Sequence, residues 1–219
     1  MDPIIPRLPC APIEIDILSG RTVDLERIGA ARHAAALWRA IGADRGLWDE
    51  IPSGPFADEA AFTDWLGDRA ARPGVVLFAA TDTTRGPPGA AGLYFLMRID
   101  PAMGSAEIGL VLGRTLSRRT AATEAFRLIA GHVFAAGYRR LEWRCNPSNA
   151  ASARAALRFG FTAEGVMRQT MWIKGRNWDT ALYAMLDRDW PAAAARLDAW
   201  LAPENFTADG TQITALGLT

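Results

Sequence analysis

The chain has little of what marks several common protein classes. Of its 219 residues, only two are cysteine and two histidine. Cys10 and Cys145 do not form a metal-ligand spacing, and His33 and His132 stand alone, so no structural metal is expected. A disulfide between the two cysteines has no support. No apolar run approaches the ~18–20 residues needed to span a bilayer. The opening MDPIIPRLPC lacks the basic segment and long apolar stretch of a signal peptide. The 24 basic and 24 acidic side chains cancel, which leaves no global field for nucleic acid or an acidic membrane; any anion site must be local. Internal repeats and low-complexity linkers are absent too. These absences make a soluble cytoplasmic protein the default, with neither nucleic acid nor membrane as partner. What is abundant is apolar: half the residues are hydrophobic, enough for a sizeable core. The length suits one domain with extensions, or at most two small ones.

One absence is local. Residues 117–125 read SRRTAATEA, between the apolar run IGLVL (108–112) and a helical pattern reaching Ala136. A strand, a short turn and a helix start can hold a phosphate, because the first N–H groups of a helix have no internal partner. Such turns usually carry glycine, yet none stands between Gly113 and Gly131. From the residues alone, this is either a phosphate cradle or an N-capped core helix with two solvated arginines.

Periodicity supplies the rest of the order. Ile13, Ile15 and Ile17 alternate with Glu14 and Asp16, the period of a half-buried strand. A second short strand over 22–25 follows the Ser19-Gly20 turn. A helix over about 27–41 stops at Gly42, and WDEIPSGPF (48–56) is a Pro/Gly-rich connection with two large aromatics. Asp58 caps the next helix, which Pro73-Gly74 ends. Strands are expected at 75–80, 91–99 and 106–112, the first two separated by the turn TDTTRGPPG. A helix over about 121–136 buries Phe126, Ile129 and Val133. Then come a strand at 141–145, a helix at 149–159 closed by Gly160, and an antiparallel pair at 161–172 and 181–186 joined by KGRNWDT (174–180). An Ala-rich helix runs from Trp190-Pro191 to about Leu201. The order predicts an α/β domain with a mixed sheet and helices on both faces.

At this point the chain resembles the GNAT superfamily of acetyl-CoA-dependent N-acyltransferases, and within it the RimJ/RimL branch. The residues that carry the resemblance are EIGLVL (107–112), AATEA (121–125), YRRLEWRC (138–145), NPSNAASARAALRFGF (146–161), EGVMRQ (164–169) and KGRN (174–177). It covers about residues 12–191 as a GNAT domain, with 192–219 a helical or irregular extension. It implies a mixed, mostly antiparallel central sheet flanked by helices on both faces. It also implies that pantetheine lies along the strand 106–112, touching Leu110, Val111 and Leu112. The pyrophosphate would meet the following turn, where the family pattern Q/R-x-x-G-x-G/A becomes Ser117, Arg118, Arg119, Thr120, Ala121 and Ala122. Backbone contacts there need only a helical turn with negative φ. Thr120 and Thr123 would add hydroxyl donors, and Arg118 and Arg119 charge-assisted contacts.

The resemblance also makes Asn149 a contact to the pantetheine region, with Ser152 one turn on. The tyrosine that many members use to protonate the leaving thiolate is Ala156 here, so Ser152 is the nearest donor. Glu107 is the candidate base, against the plainer reading of a structural ion pair; the fifth-strand glutamate of some relatives is Arg144 here. On the acceptor side, Trp48, Phe56, Arg168, Lys174, Arg176 and Asn177 lie in segments flanking the groove, and Trp178 stands where the branch commonly has a second basic residue. A peptide α-amine, with a pKa near ~7.7–8.0, is roughly 10% neutral at pH 7, against a few parts in ten thousand for lysine. Weak base help therefore suits an α-amine, and the expected partners are acetyl-CoA and a peptide N-terminus. Two alternatives stay open. One is a small-molecule amine under a closed aromatic loop, in a detoxifying enzyme; the other is a sensor or interaction module that binds acyl-CoA with little turnover. The tail and the aromatic edge strands offer surfaces for a homodimer.

Overall fold

The isoleucine alternation ends in a strand, but a shorter one than its period suggests. The computed structural model describes residues 7–84 and 89–217; the reading over 1–6 and part of the turn at 81–89 lie outside them. Strand β1 (Ile17–Ser19) pairs antiparallel with β2 (Val23–Arg27). Ile13 and Ile15 are buried but lie past the end of β2, with no strand opposite, and Ile17 points outward at 62% exposure. The chain leaves β2 for helix α1 (Ala30–Leu37), which widens into a π-turn at Trp38–Gly42. The carboxylate of Asp58 accepts the Ala61 N–H at 2.9 Å and caps α2 (Glu59–Ala70), as its sequence position implies.

Strands β3 (Val76–Asp82), β4 (Gly92–Asp100) and β5 (Ser105–Leu112) form an antiparallel meander. Helix α3 (Thr120–Ala135) then crosses over to β6 (Arg140–Cys145), which lies parallel to β5. Helix α4 (Ala150–Phe159), capped by the Asn149 side chain and closed by left-handed Gly160, leads to β7 (Thr162–Ile173) and β8 (Arg176–Leu186). Helix α5 (Trp190–Leu201) follows. Among the described residues, the strands form one eight-stranded sheet in the order β1-β2-β3-β4-β5-β6-β8-β7. This is the mixed, mostly antiparallel sheet expected, parallel only between β5 and β6.

Both faces are covered, so the central strands read as continuous apolar runs. Along β4, Tyr94 and Leu96 face α3, α4 and α5, with Phe126, Ile129 and Phe159. Leu93 and Phe95 face α1 and α2, with Leu37, Ile41, Phe62 and Leu66. Full burial of each such side chain is worth ~1.5–3 kcal/mol. The tail packs back on this core: Trp190 stacks on Phe134 at 5.1 Å, Asp198 pairs with Arg127, and Leu216 is buried. No helix among the described residues is long and apolar enough to cross a membrane.

The sheet is split in its middle. β5 and β6 pair only over Ser105–Glu107 and Arg140–Glu142, yet they run on to Leu112 and Cys145. A β-bulge at the end of β4, where Arg98 takes φ +49°, sits beside the point of divergence. Bulges sharpen local twist, and here that twist turns β4 and β5 away from β6. The inner edge of β5 from Ile108 to Leu112 is left without a strand partner.

Candidate active site

The split opens a cleft of about 780 Å³ that reaches through the sheet. Strand alternation assigns its walls. Glu107, Gly109 and Val111 lie opposite Met97, Phe95 and Leu93, on the α1–α2 side. Asn149 and Ser152, from the start of α4, close the other side, with Trp143 and Cys145 from β6. Gly109 keeps the floor open: a Cβ there would come within 3.0 Å of the Met97 methyl.

On the α4 side, Asn149 Oδ1 accepts the Ser152 N–H at 3.0 Å, so the cap also fixes Ser152. The Trp143 indole N–H donates to Ser152 Oγ at 2.9 Å. That bond occupies a lone pair of Ser152 Oγ and leaves its proton free to donate, with the Cys145 thiol close by. Burial pushes the Cys145 thiol up, and the Ser152 hydroxyl pulls it down. Cys145 is a half-buried part of the cleft wall. Buried Trp143 carries no sequence signal for its bond to Ser152 beyond its two-residue phase with Cys145, both facing the Asn-Ser helix start.

On the opposite side, Glu107 is 6% exposed. Its Oε2 lies 3.1 Å from Nε of both Arg98 and Arg144, and Arg144 also pairs with Glu142 at 2.8 Å. The ion pairs named as the plainer reading are thus present. Neither is aligned as a hydrogen bond, and Oε2 remains buried with no hydrogen-bond partner. Burial raises the Glu107 carboxyl above its usual range, against the pull of Arg98 and Arg144. Arg98 also escaped sequence reading; only the β4–β5 register brings it to Glu107.

Leu110 and Val111 line the cleft, and Leu112 continues the same edge without entering its wall. The turn after β5 depends on Gly113, where a Cβ would strike the backbone oxygens of Ala40 and Ala91 at 2.7 and 2.8 Å. Beyond it, Arg118 takes φ +60°, correcting the expectation of negative φ throughout. The left-handed residue precedes the slot where the family pattern has glycine, and that slot, Thr120, begins α3 normally. The N-cap is Arg119, whose side chain has no acceptor, and no side chain caps the helix. Arg118, Arg119, Thr120 and Ala121 border a hollow of about 350 Å³ with Arg21 and Thr207. Ala122 and Thr123 turn inward instead. The Ala122 carbonyl accepts the Tyr94 hydroxyl at 2.7 Å, and buried Thr123 accepts Arg158 Nη2 at 3.0 Å, so Thr123 does not join the arginines at the turn.

The acceptor candidates divide. Trp48 lines the cleft, its indole N–H bonded to the Ile41 carbonyl at 2.8 Å. Phe56 braces it edge-on at 5.0 Å from outside the wall. Lys174 donates to the carbonyls of Trp48, Ile51 (2.7 Å) and Ser53 (3.2 Å), so its ammonium pins the 48–53 loop rather than facing the cleft. Arg176 bonds Asp49 and lies over the Trp178 ring at 5.1 Å. Arg168 and Asn177 are exposed on the β7–β8 hairpin, outside the cleft wall. The connection is not the seven residues 174–180: Lys174 and Gly175, at φ +50° and +70°, make a two-residue turn of the kind that matches strand twist. Strand β8 thus begins at Arg176, and Trp178 and Thr180 point alternately into the cleft.

Comparison with known proteins agrees with this geometry. Residues 23–162 match the family model described as an acetyltransferase (GNAT) domain. A crystal structure of a GCN5-related N-acetyltransferase from Brucella melitensis superposes with a TM-score of 0.90 at 43% identity, covering 95% of this chain and 96% of that one. The ribosomal-protein-serine acetyltransferase of Escherichia coli K12 is 30% identical over 96 residues, 43% of this chain and 54% of that protein. The chain spans about half the length of the curated relatives it matches. RimJ of Mycobacterium smegmatis, solved with CoA-disulfide, shares the fold at 22% identity and TM-score 0.68, over 81% and 88% of the two chains. The chain belongs to the GNAT acetyltransferase family.

Proposed function

We propose that the protein transfers an acetyl group from acetyl-CoA to a primary amine by direct attack in a ternary complex. The observation that carries this reading is the split between β5 and β6. An unpaired strand edge accepts an extended ligand through main-chain hydrogen bonds, and pantetheine is such a ligand. Edge residues 110–112 would hold it, with Asn149 beside it. The uncapped start of α3 suits the pyrophosphate, with Arg118, Arg119 and Thr120 at its side.

The chain's own groups then divide the chemistry. Backbone N–H of β5 would polarise the thioester carbonyl, a stabilisation of ~3–4 kcal/mol for a well-placed donor. Glu107, with an orphan oxygen and a raised pKa, would accept the amine's proton directly or through water, worth ~10²–10⁴-fold. Ser152, held by Trp143 and Asn149, would donate to the departing thiolate. A CoA thiol near the usual ~8.5 needs little more help than that hydrogen bond. The amine proton passes to Glu107 and on to solvent, and CoA leaves as a thiolate that takes its proton from water, so the products are an amide and CoA thiol. No metal enters this scheme, and the cytoplasm, where acetyl-CoA is made and used, is its setting.

A peptide α-amine remains the favoured acceptor on grounds of its protonation. One observation favours a small amine instead: Lys174 ties the 48–53 loop down, and Glu50 accepts the Ser148 hydroxyl at 2.8 Å across the cleft mouth. Calorimetry with acetyl-CoA, followed by thiol release over peptides and small amines, tests the reading. Binding with amine-dependent thiol release is expected. Binding with no turnover on any amine would make the protein a sensor, and no binding would overturn the function altogether.

A further inference from the structure

The acceptor half of the cleft is lined by four arginines, Arg69, Arg72, Arg98 and Arg144, against two glutamates, Glu50 and Glu107. Arg98 and Arg144 share Glu107, and Arg144 also holds Glu142. Glu50 is engaged by Ser148 and Arg176. Arg69 and Arg72 have no ion-pair partner among the described residues, and Arg69 Nε is buried without a hydrogen bond. Burial and the neighbouring Arg72 cation disfavour its charge, against a weaker pull from the Glu107 carboxylate. The C-terminal end of α2 favours a cation in its last turn, but that field supplies no acceptor for Nε. A buried orphan donor is costly and rare, and two like charges on one cavity wall with no ion-pair contact of their own attract a counter-charge. Cationic walls also favour the neutral, nucleophilic form of an entering amine.

We propose that the acceptor carries an acidic group, a carboxylate or a phosphate, that docks on Arg69 and Arg72 while its amine reaches Glu107. The inference rests on the acetyl-transfer reading and narrows its substrate class. The test measures thiol release on free-amine substrates in matched pairs. Tetrapeptide amides differ only by glutamate or glutamine, or by phosphoserine or serine, at the second position; an α-amino acid is set against its amide. The acidic member of at least one pair is expected to lead by roughly ten- to a hundredfold in kcat/KM, and the winning pair separates carboxylate from phosphate. In the Arg69→Gln/Arg72→Gln double variant that ratio falls to within about threefold. Because the ratio is read within one protein, a partly damaged variant still reports; Arg72→Gln alone serves if the double variant does not fold. Ratios near one in the natural protein, ratios that survive the substitutions, or no release from any pair with acetyl-CoA bound overturn the proposal. Acetyl-CoA binding is measured separately, and its absence would overturn the transfer reading itself.

Discussion

The two halves of the cleft are built from different materials. The proposed cofactor half is mostly backbone: a strand edge, a turn and a helix start, close together in sequence from Ile108 to Ala121, with Asn149 and Ser152 added from one helix. The acceptor half is side chains drawn from five segments: the 48–53 loop, the end of α2, the bulge of β4, β6 and the β7–β8 hairpin. A site made of main-chain N–H groups tolerates changes of side chain, which is how SRRTAATEA can dispense with glycine. A site made of side chains changes with each of them.

Substitutions can break or sharpen this contrast. The largest effect is expected for Gly109→Leu, which fills the floor shared by both halves. Its Cβ meets only the flexible end of Met97 within close range, so the fold should survive, while thiol release drops at least about a hundredfold, as positioning losses do. Next, Ser152→Ala should lower kcat by roughly ten- to a hundredfold with little change in acetyl-CoA affinity. Trp143→Phe keeps the ring packing against Phe159 and Phe161 and removes only the N–H, so a loss of up to about tenfold is expected in kcat and not in KM. Unaltered kcat in both would remove Ser152 and its Trp143 support from the mechanism.

A pH profile probes the acceptor half more gently. Glu107 must be ionised to accept a proton, and burial raises its pKa, so the profile should show, below the limb set by the amine's own ionisation, a second acid limb above the ordinary carboxylate range of ~4.3. Arg144 lowers that pKa; Arg144→Gln should therefore move the limb to higher pH. A limb moving downward would contradict the assignment. The smallest effect belongs to the turn. Arg118→Gly relieves a left-handed φ, gaining up to about 1 kcal/mol in stability, while loss of the cation should raise the KM for acetyl-CoA a few-fold. Urea unfolding and steady-state kinetics on the same variant read both.

The same contrast explains what the sequence made legible. Local signals hold well: Asp58 and Asn149 cap their helices, Gly160 closes one, and the strands of the meander fall where apolar runs do. The turn after β5 and the Asn-Ser pair could be found because they are contiguous. Misreadings arise where long-range pairing decides. Ile13 and Ile15 keep a strand's burial period but lie past the end of β2. The hairpin turn shrinks to Lys174-Gly175 because both residues accept positive φ, which moves Trp178 into the cleft wall. Lys174, read as a substrate contact, braces a loop over 120 residues away in the chain. Arg69 and Arg98 carry no motif at all; only register and helix packing bring them to the cleft.

The central claim is that Glu107 acts on the amine beside a cofactor site that does not need it. Glu107→Gln, examined by calorimetry with acetyl-CoA and by thiol release across pH, tests this most directly. The account predicts acetyl-CoA affinity within about threefold of the natural protein, turnover down by ~10²-fold or more, and loss of the enzyme's acid limb, leaving only the limb set by the amine's own pKa. Turnover equal to that of the natural protein, with the acid limb intact, would contradict it.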